Sequence, residues 1–441
     1  MKKLLVLLLV SITTTITAQN VMSLYNMSHI PQVVYANPAF IPLGRVNVSI
    51  PGLGSTYAQM GKSDFNTKDI ASVDANGTLR LNVDQFLNGL KDENLVYFGT
   101  TVEALHIGFS AGKNYIFIAS NDRINTQFAF PKSLAILISE VYEQKGIESF
   151  QTIDDTKVQY SHIREYSFGW ARRINKDLNV GVRFKMFSGI MNVRTNTTGI
   201  VIEGVTPENE LSGLINVDIE TSGLTEYTDN IVQTLPGYNN YGYGLDFGFD
   251  YRINQKFKVA ASVLDLMGTV NWKDNVRNYN ADSVRVDFNT VDWASIVNPT
   301  KGDGLNGIYD SIINNVDPEL SGKAYTTTFP TKILGSFTYY LTPKIEATLI
   351  GQGIMHKNMF ETRIRVGIQG RVKRFLNYMV SYAIVDSQED PINLGVGLAL
   401  NLGPIQIHAL TDNIFDPYLF NSQFNPSLRF GINLTMGRDY Q

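Results

Sequence analysis

The chain contains no cysteine, only five histidines and, after its first residues, no long apolar run. Without cysteine it can form neither a disulfide framework nor a cysteine-linked lipid anchor, so strand pairing and packing must stabilise it. The histidines show no spacing that is typical of a zinc site. The absence of a second apolar run excludes an ordinary helical membrane protein.

The chain also has no large excess of positive or of negative charge. The chain has 37 Lys and Arg against 41 Asp and Glu, a net charge of -4, which argues against nucleic acid as a partner. The mean hydropathy of -0.07 is near zero. This value is compatible with a membrane barrel, because lipid-facing and lumen-facing residues alternate along its strands and average out.

The first eighteen residues have the features of a secretory signal peptide. Lys2 and Lys3 precede an apolar run from Leu4 to Val10, and Ala18 provides a small residue for cleavage. The apolar run is too short to span a bilayer, which argues against an anchor helix. We therefore predict export from the bacterial cytoplasm, with residues 1–18 removed.

Alternating side chains mark the strands most clearly in residues 241–253. One face is apolar and aromatic, with Tyr241, Tyr243, Leu245, Phe247, Phe249, Tyr251 and Ile253. The other face is small or charged, with Gly242, Gly244, Asp246, Gly248, Asp250 and Arg252. Strands of soluble proteins run to about five or six residues, whereas this one is about twice as long. The pattern recurs, and it predicts an all-β fold, a transmembrane antiparallel β-barrel.

Short polar linkers alternate with long ones. The short linkers, at 112–114, 173–178, 252–257, 340–345, 371–376 and 401–405, have the composition of tight hairpins. The long connections lie near 58–100, 130–159, 191–240, 270–330 and 412–426. Outer-membrane barrels have short periplasmic turns and long outer loops, so the short linkers indicate the periplasmic end. Residues 131–143, 84–90 and 305–313 predict short helical turns inside the loops.

The count of alternating segments predicts about fourteen strands, an even number as closure requires. The predicted segments are 46–57, 101–112, 115–129, 160–173, 178–190, 240–253, 257–269, 331–342, 345–355, 360–372, 376–386, 393–402, 404–411 and 427–437. Twelve or sixteen strands stay open as alternatives, because the boundaries before residue 160 are weakly marked. The barrel then occupies residues 45–441 of the sequence.

The segment before the first strand, residues 19–44, contains Pro31, Pro38 and Pro42 and no strand pattern. It either folds into the lumen as a plug or lies against the periplasmic foot of the barrel. Glycines on the inward face, such as Gly242 and Gly395, make room for such a plug or for a ligand, or bend the sheet.

Charged residues concentrate on the predicted inward face. These lumen-facing candidates are Arg183, Lys185, Asp246, Asp250, Arg252, Glu361, Arg363, Arg365 and Arg429. A charge facing lipid at the bilayer midplane would cost about 2–4 kcal/mol, so their placement supports the face assignment. Two roles stay open: they line a permeation path, or they form paired ladders that hold a plug or fill a narrow lumen.

Enzyme motifs are weak. Gly108 to Gly112 matches Gly-x-Ser-x-Gly, but a nucleophile elbow needs a helix after it, and Asn114 to Ile118 has the composition of a strand. In the loop at 270–330, Asp303, Asn306 and Asp310 do not have EF-hand spacing. We therefore predict no catalytic residue, no metal site and no cofactor.

Several short motifs carry a family resemblance. Residues 24–28, 37–40 and 51–53, Leu-Tyr-Asn-Met-Ser, Asn-Pro-Ala-Phe and Pro-Gly-Leu, resemble an outer-membrane family of unknown function common in Bacteroidota. The hairpin at 251–254 and the stretch 262–266 are similar to the wider FadL-like group of fourteen-stranded barrels. That group includes fatty-acid channels and the shuttle protein of the type IX secretion system.

The resemblance implies a bacterial outer-membrane protein that transports a hydrophobic small molecule or has a secretion-associated role. The alternative is a non-catalytic component of a multi-protein envelope complex that binds partners through its loops and lumen. The expected partners are outer-membrane lipid, a hydrophobic ligand, and envelope or secretion-complex proteins. A lumen open laterally to the bilayer favours transport, whereas a sealed lumen favours partner binding.

Overall fold

The computed structural model describes residues 22–62, 71–73, 79–81, 83–142, 151–154, 156–205, 211–224, 240–287, 322–355, 360–385, 393–414 and 426–437. Its helices are short: α1 Met22–Tyr25, a 3-10 helix Pro31–Tyr35, α2 Val83–Gly89 and α3 Lys132–Tyr142. The helices α2 and α3 confirm two of the predicted helical turns, and the third, at 305–313, lies outside the described residues. Within this part of the chain, no helix is long and apolar enough to cross a membrane.

Fourteen antiparallel wall strands form a closed barrel in the described part of the chain. The first wall strand is made of β1 Val46–Ser49 and β2 Thr56–Lys62. The others are β5 Glu93–Ala111, β6 Asn114–Pro131, β8 Lys157–Arg173, β9 Leu178–Val205, β11 Tyr241–Arg252, β12 Phe257–Leu266, β16 Thr331–Thr342, β17 Ile345–Met355, β18 Phe360–Val372, β19 Leu376–Val385, β20 Asn393–Leu402, β21 Ile405–Thr411 and β22 Ser427–Met436. The barrel closes where β1 pairs with β22, Val46 opposite Met436. The predicted fold class and strand count are confirmed.

The side chains follow the alternation that the sequence predicts. On β11, Tyr243, Phe247 and Phe249 are exposed on the outer surface, while Asp246 is fully buried towards the lumen. The register places Asp246 opposite Arg183 of β9, so inward positions of neighbouring strands meet. An apolar exterior with a polar interior is the arrangement that a lipid-embedded barrel requires.

The short turns are built from local hydrogen bonds. The Asn175 side chain accepts the backbone N–H of Asp177 at 2.8 Å, and Asn254 accepts that of Lys256 at 2.8 Å. Asparagine stabilises a turn in this way by replacing a backbone acceptor. The first wall strand is interrupted after Ser49 because Pro51 has no N–H to donate to a strand ladder.

Some strands continue far beyond the wall. The outer part of β9 pairs with β7 Gln151–Asp154 and β10 Leu211–Ser222, and β10 pairs in turn with β14 Val276–Asp287. We call these strands the projecting sheet. Two further pairs are β13 Thr269–Trp272 with β15 Tyr325–Thr328, and β3 Ala71–Val73 with β4 Leu79–Leu81. The connections expected at 191–240 and 270–330 therefore contain strands, and residues 225–239 and 288–321 lie outside the described part.

Candidate functional site

The lumen contains the N-terminal segment, residues 22–43, which we call the plug. Its contacts reach wall strands all around the circumference. They are Tyr25 Oη to Ser262 Oγ at 2.7 Å, Gln406 Nε2 to His29 O at 3.0 Å, Gln32 Nε2 to Asn433 Oδ1 at 2.9 Å and Arg183 Nη2 to Tyr35 O at 3.4 Å. Because these contacts come from strands on several sides, residues 22–43 are enclosed by the wall.

Glycines on the inward face of the wall allow the plug to approach closely. A Cβ at Gly181 would lie 2.1 Å from Pro38 O, and one at Gly367 would lie 2.3 Å from Asn26 Nδ2. Both distances are far below van der Waals contact, so a larger residue would displace the plug. Glycine at these wall positions is therefore a requirement of the filled lumen.

Apolar contacts with the wall also hold the plug in the lumen. Its buried apolar side chains, among them Leu24, Met27 and Ile30, form one cluster with the wall. The lumen-facing wall residues in this cluster are Tyr115, Phe117, Ala119, Ala171, Ala260, Leu264, Leu334, Ile350, Met379, Ala399 and Leu410. Removing the plug would expose this apolar band inside the barrel.

A polar node joins the plug to β5. Glu103 is fully buried and accepts hydrogen bonds from Tyr35 Oη at 2.5 Å and Gln32 Nε2 at 3.0 Å. Burial, followed by the Glu103 charge, raises the pKa of Tyr35 well above its ordinary value, so the phenol stays protonated and donates. Burial, helped by the nearby cations Arg371 and Lys258, lowers the pKa of the plug residue His29 to about 4, so its imidazole is neutral at pH 7.

Seven buried charges form a network beside the plug. The cations are Arg123, Arg183, Lys185 and Lys332, and the anions are Glu165, Asp246 and Asp265. Lys185 Nζ lies 2.7 Å from Asp246 and 2.6 Å from Asp265, and Arg123 lies 2.9 Å from Glu165. Arg183 pairs with Asp246 and lies 5.1 Å from the Tyr35 ring of the plug. Because buried charges are costly unless they are paired, this network fixes the wall strands against the plug.

Asp265 reaches this network through an irregular backbone. Strict alternation from Val263 would place Asp265 on the lipid face, but its φ is +56° and that of Met267 is +54°. The register between β11 and β12 shifts at the same level. The irregularity turns the carboxylate inward and leaves Met267 76% exposed, as a β-bulge does when it redirects a side chain.

A chamber of about 190 Å³ lies on the long-loop side of the network. Arg123, Asp265 and Lys332 of the network line it. The rest of the lining includes the four amide side chains Asn125, Gln127, Gln159 and Asn192 and the ring of Phe329, and most of its exposed surface is apolar. The chamber can accept a small molecule that bears hydrogen-bonding groups.

The structure brings three of the nine predicted lumen residues, Arg183, Lys185 and Asp246, into the network. The other six lie outside the network. Four of them are in ion pairs: Asp250 with Lys258 at 3.3 Å, Glu361 with Arg363 at 3.2 Å and Arg365 with Asp412 at 2.6 Å. Arg429 donates a hydrogen bond to Ser55 at 3.0 Å, and Arg252 is exposed at the short-turn end, 5.4 Å from the Tyr340 ring. The predicted residues thus form one dense cluster and separate ion pairs in the lumen, except for Arg429, which makes a hydrogen bond, and Arg252, which is exposed at the end of the barrel.

Sequence reasoning missed Arg123, Glu165, Asp265 and Lys332. Arg123 follows the aromatic inward residues Tyr115 and Phe117 of β6, which blur the contrast between the two faces. For Asp265 a signal exists: a carboxylate at a lipid-facing position, followed by Gly268, indicates a bulge.

The structure gives no support to the chemical motifs. Ser110 of the Gly-x-Ser-x-Gly match lies on strand β5, and a hairpin at Gly112 follows it instead of a helix. No group of three or more metal-ligating side chains is found among the residues that the structure describes.

Comparison with known proteins gives one family match and several distant structural neighbours. The family described as "Family of unknown function (DUF5723)" matches residues 38–412. No curated protein matches the sequence of this chain. The toluene transporter TbuX of Ralstonia pickettii is 10% identical, with 92% of this chain and 94% of that chain covered and a TM-score of 0.49. A Pseudomonas aeruginosa FadL homologue is 9% identical, with 93% and 94% covered and a TM-score of 0.43.

Proposed function

This chain belongs to DUF5723, a family of unknown function, and we propose from its geometry that it is a bacterial outer-membrane channel for a small hydrophobic molecule. In this proposal the plug, residues 22–43, closes the channel, and its movement opens it. The observation that carries the proposal is the apolar band on the inner wall of the closed barrel, which the plug covers.

The attachment of the plug supports movement. Among the described residues, no strand of the wall pairs with the plug, so the plug can leave without breaking these strand ladders. Its polar contacts are side-chain hydrogen bonds, such as those of Gln32 and Tyr35 with Glu103. Each of these bonds to the Glu103 carboxylate contributes about 1.5–3 kcal/mol net, and none of them belongs to a strand ladder.

The linings of the lumen indicate the substrate class. The apolar band behind the plug, with residues such as Leu334, Ile350 and Leu410, favours an apolar body. The chamber offers amides, including Asn125 and Gln159, to hydrogen-bonding groups. Together they favour a compact apolar molecule with at least one polar group.

Deletion of residues 22–43 tests the channel proposal. Cells that carry the intact chain or the deleted chain are given N-phenyl-1-naphthylamine, a hydrophobic fluorescent probe that an intact outer membrane excludes. We expect faster probe uptake with the deleted chain than with the intact chain, at equal amounts of assembled barrel. Equal uptake would contradict gating by the plug.

Partner binding is the second candidate, and the projecting sheet favours it. A wall strand needs about 9–11 residues to cross a bilayer, whereas β9 has 28 residues. The filled lumen also favours this candidate. Replacing residues 196–217 by an Asn-Gly turn would remove the outer hairpin and keep the wall. Loss of co-purifying envelope proteins with unchanged probe uptake would support docking by the sheet; retention of these proteins would exclude it.

A further inference from the structure

The short-turn end of the barrel carries exposed charge of one sign. The exposed cations in or beside five of its six turns and at the first wall strand are Arg45, Lys113, Arg172, Arg173, Lys176, Arg252, Lys256, Lys344, Lys373 and Arg374. We call this set the basic rim. The described acids at this end, Asp177, Asp250 and Glu346, are all partly buried. For a chain with a net charge of -4, this is a strong local concentration of positive charge.

The long-loop end of the barrel does not have this excess of positive charge. Its described exposed charges have both signs, for example Lys91 beside Asp92 and Glu93. The positive charge of the basic rim is therefore a property of one end of the barrel and does not reflect the composition of the exposed surface as a whole.

The height of the basic rim matches the lipid headgroups. Exposed apolar residues reach into the same turns: Ile174 is 45% exposed, Ile253 49% and Val372 43%. The rim cations lie within a few residues of these side chains, and one residue of strand spans about 3.3 Å. The long stems of Lys and Arg can lie along the apolar surface while their charges reach the phosphates.

We propose that the basic rim binds the phosphate groups of anionic phospholipids in the leaflet that it meets. The short turns do not project far enough to form a separate protein-binding surface. The rim cations also lie at five of the six turns instead of clustering at one of them, as contact with the surrounding lipid requires.

The lipid preference of the full chain tests this proposal directly. The chain is reconstituted in phosphatidylcholine vesicles, and electron spin resonance measures its association with spin-labelled phosphatidylglycerol and with spin-labelled phosphatidylcholine. A single cation near an anionic lipid can change binding by about fivefold, so we expect the wild type to prefer phosphatidylglycerol several-fold. Raising the salt to about 0.5 M should weaken this preference through screening.

Two matched variants assign the preference to the rim. The rim variant replaces Lys256, Lys344 and Lys373 by Gln. The control replaces the exposed lysines Lys91, Lys273 and Lys323 at the long-loop end by Gln. We expect the rim variant to lose at least about threefold of the preference and the control to keep it. Absence of a preference in the wild type, its retention in the rim variant, or equal loss in both variants would overturn the proposal. None of these results depends on whether the plug moves.

Discussion

At the scale of single residues, buried charge determines much of this lumen. The network has four cations and three anions, and Lys185 contacts both Asp246 and Asp265. Its side chain has no exposed surface. The network is therefore stable as a set, and removal of Lys185 takes from the buried carboxylates of Asp246 and Asp265 the cation that they share.

Replacing Lys185 by Met removes this cation while keeping most of the side-chain volume. We expect the free energy of unfolding, measured by denaturant titration in detergent micelles, to fall by about 3–5 kcal/mol. Lys256→Met, at an exposed turn position, is the control and should change it little. Equal effects of the two substitutions would show that the network does not stabilise the barrel.

His29 makes plug docking depend on pH. Its pKa is about 4 in the docked plug, against about 6.5 for a free histidine. Between these values the released plug binds a proton that the docked plug does not, so docking is strongest above pH 6.5 and weakens as the pH falls towards 4. We expect bilayer conductance to rise between pH 7.5 and pH 5, and His29→Asn to reduce that rise. An unchanged rise in His29→Asn would assign the effect to other groups.

At the scale of elements, the wall is predictable where its two faces differ clearly. From β16 to β22 the predicted bounds lie within one residue of those observed, because apolar and polar positions alternate without interruption. The earlier strands are less predictable. β5 begins at Glu93 rather than 101, although Val96 and Phe98 are exposed apolar residues in this extension, and β9 continues to Val205 rather than 190.

The position of the plug was only partly predictable. Its prolines show that it is not a strand, but they do not distinguish the lumen from the foot of the barrel. Inward glycines were the useful signal, and the contacts of Gly181 and Gly367 with Pro38 and Asn26 give the reason. Long-range contacts such as Gln32 with Asn433 connect distant parts of the sequence and have no local signature.

Gly181→Val tests the fit between wall and plug. The new side chain would overlap Pro38, and overpacking of this kind costs about 1–3 kcal/mol. We expect the strain to weaken plug docking and to raise conductance in planar bilayers. The control is Gly335→Val on the outer surface, where a Cβ would meet no atom within 4 Å. Similar conductance in both variants would contradict this account of the inward glycines.

Phe247→Arg tests the outward face. Phe247 is 45% exposed on the apolar surface, and an arginine facing lipid there would cost about 2–4 kcal/mol near the midplane. We expect a reduced yield of folded barrel in the membrane, measured by heat-modified mobility on gels, whereas Phe247→Leu should assemble normally. Normal assembly of the arginine variant would contradict the lipid-facing assignment.

At the scale of the whole molecule, the barrel has a closed wall and a filled lumen. Its wall is continuous from β1 to β22, and its lumen is filled by the segment that precedes β1 in the chain. The plug therefore remains covalently attached to the wall when it moves. The central claim is that passage requires this movement.

A reversible tether tests that claim most directly, and the chain has no cysteine of its own to interfere. In Asn26→Cys, Gly367→Cys the new sulfur atoms can meet, since a Cβ at residue 367 would lie 3.0 Å from Asn26 Cγ. Asn26 makes no side-chain hydrogen bond within the described residues, so its replacement loses none. We predict that the oxidised protein blocks uptake of N-phenyl-1-naphthylamine and that reduction restores it, with either single-cysteine variant insensitive to oxidation. Equal uptake by the oxidised and reduced double variant would contradict plug gating.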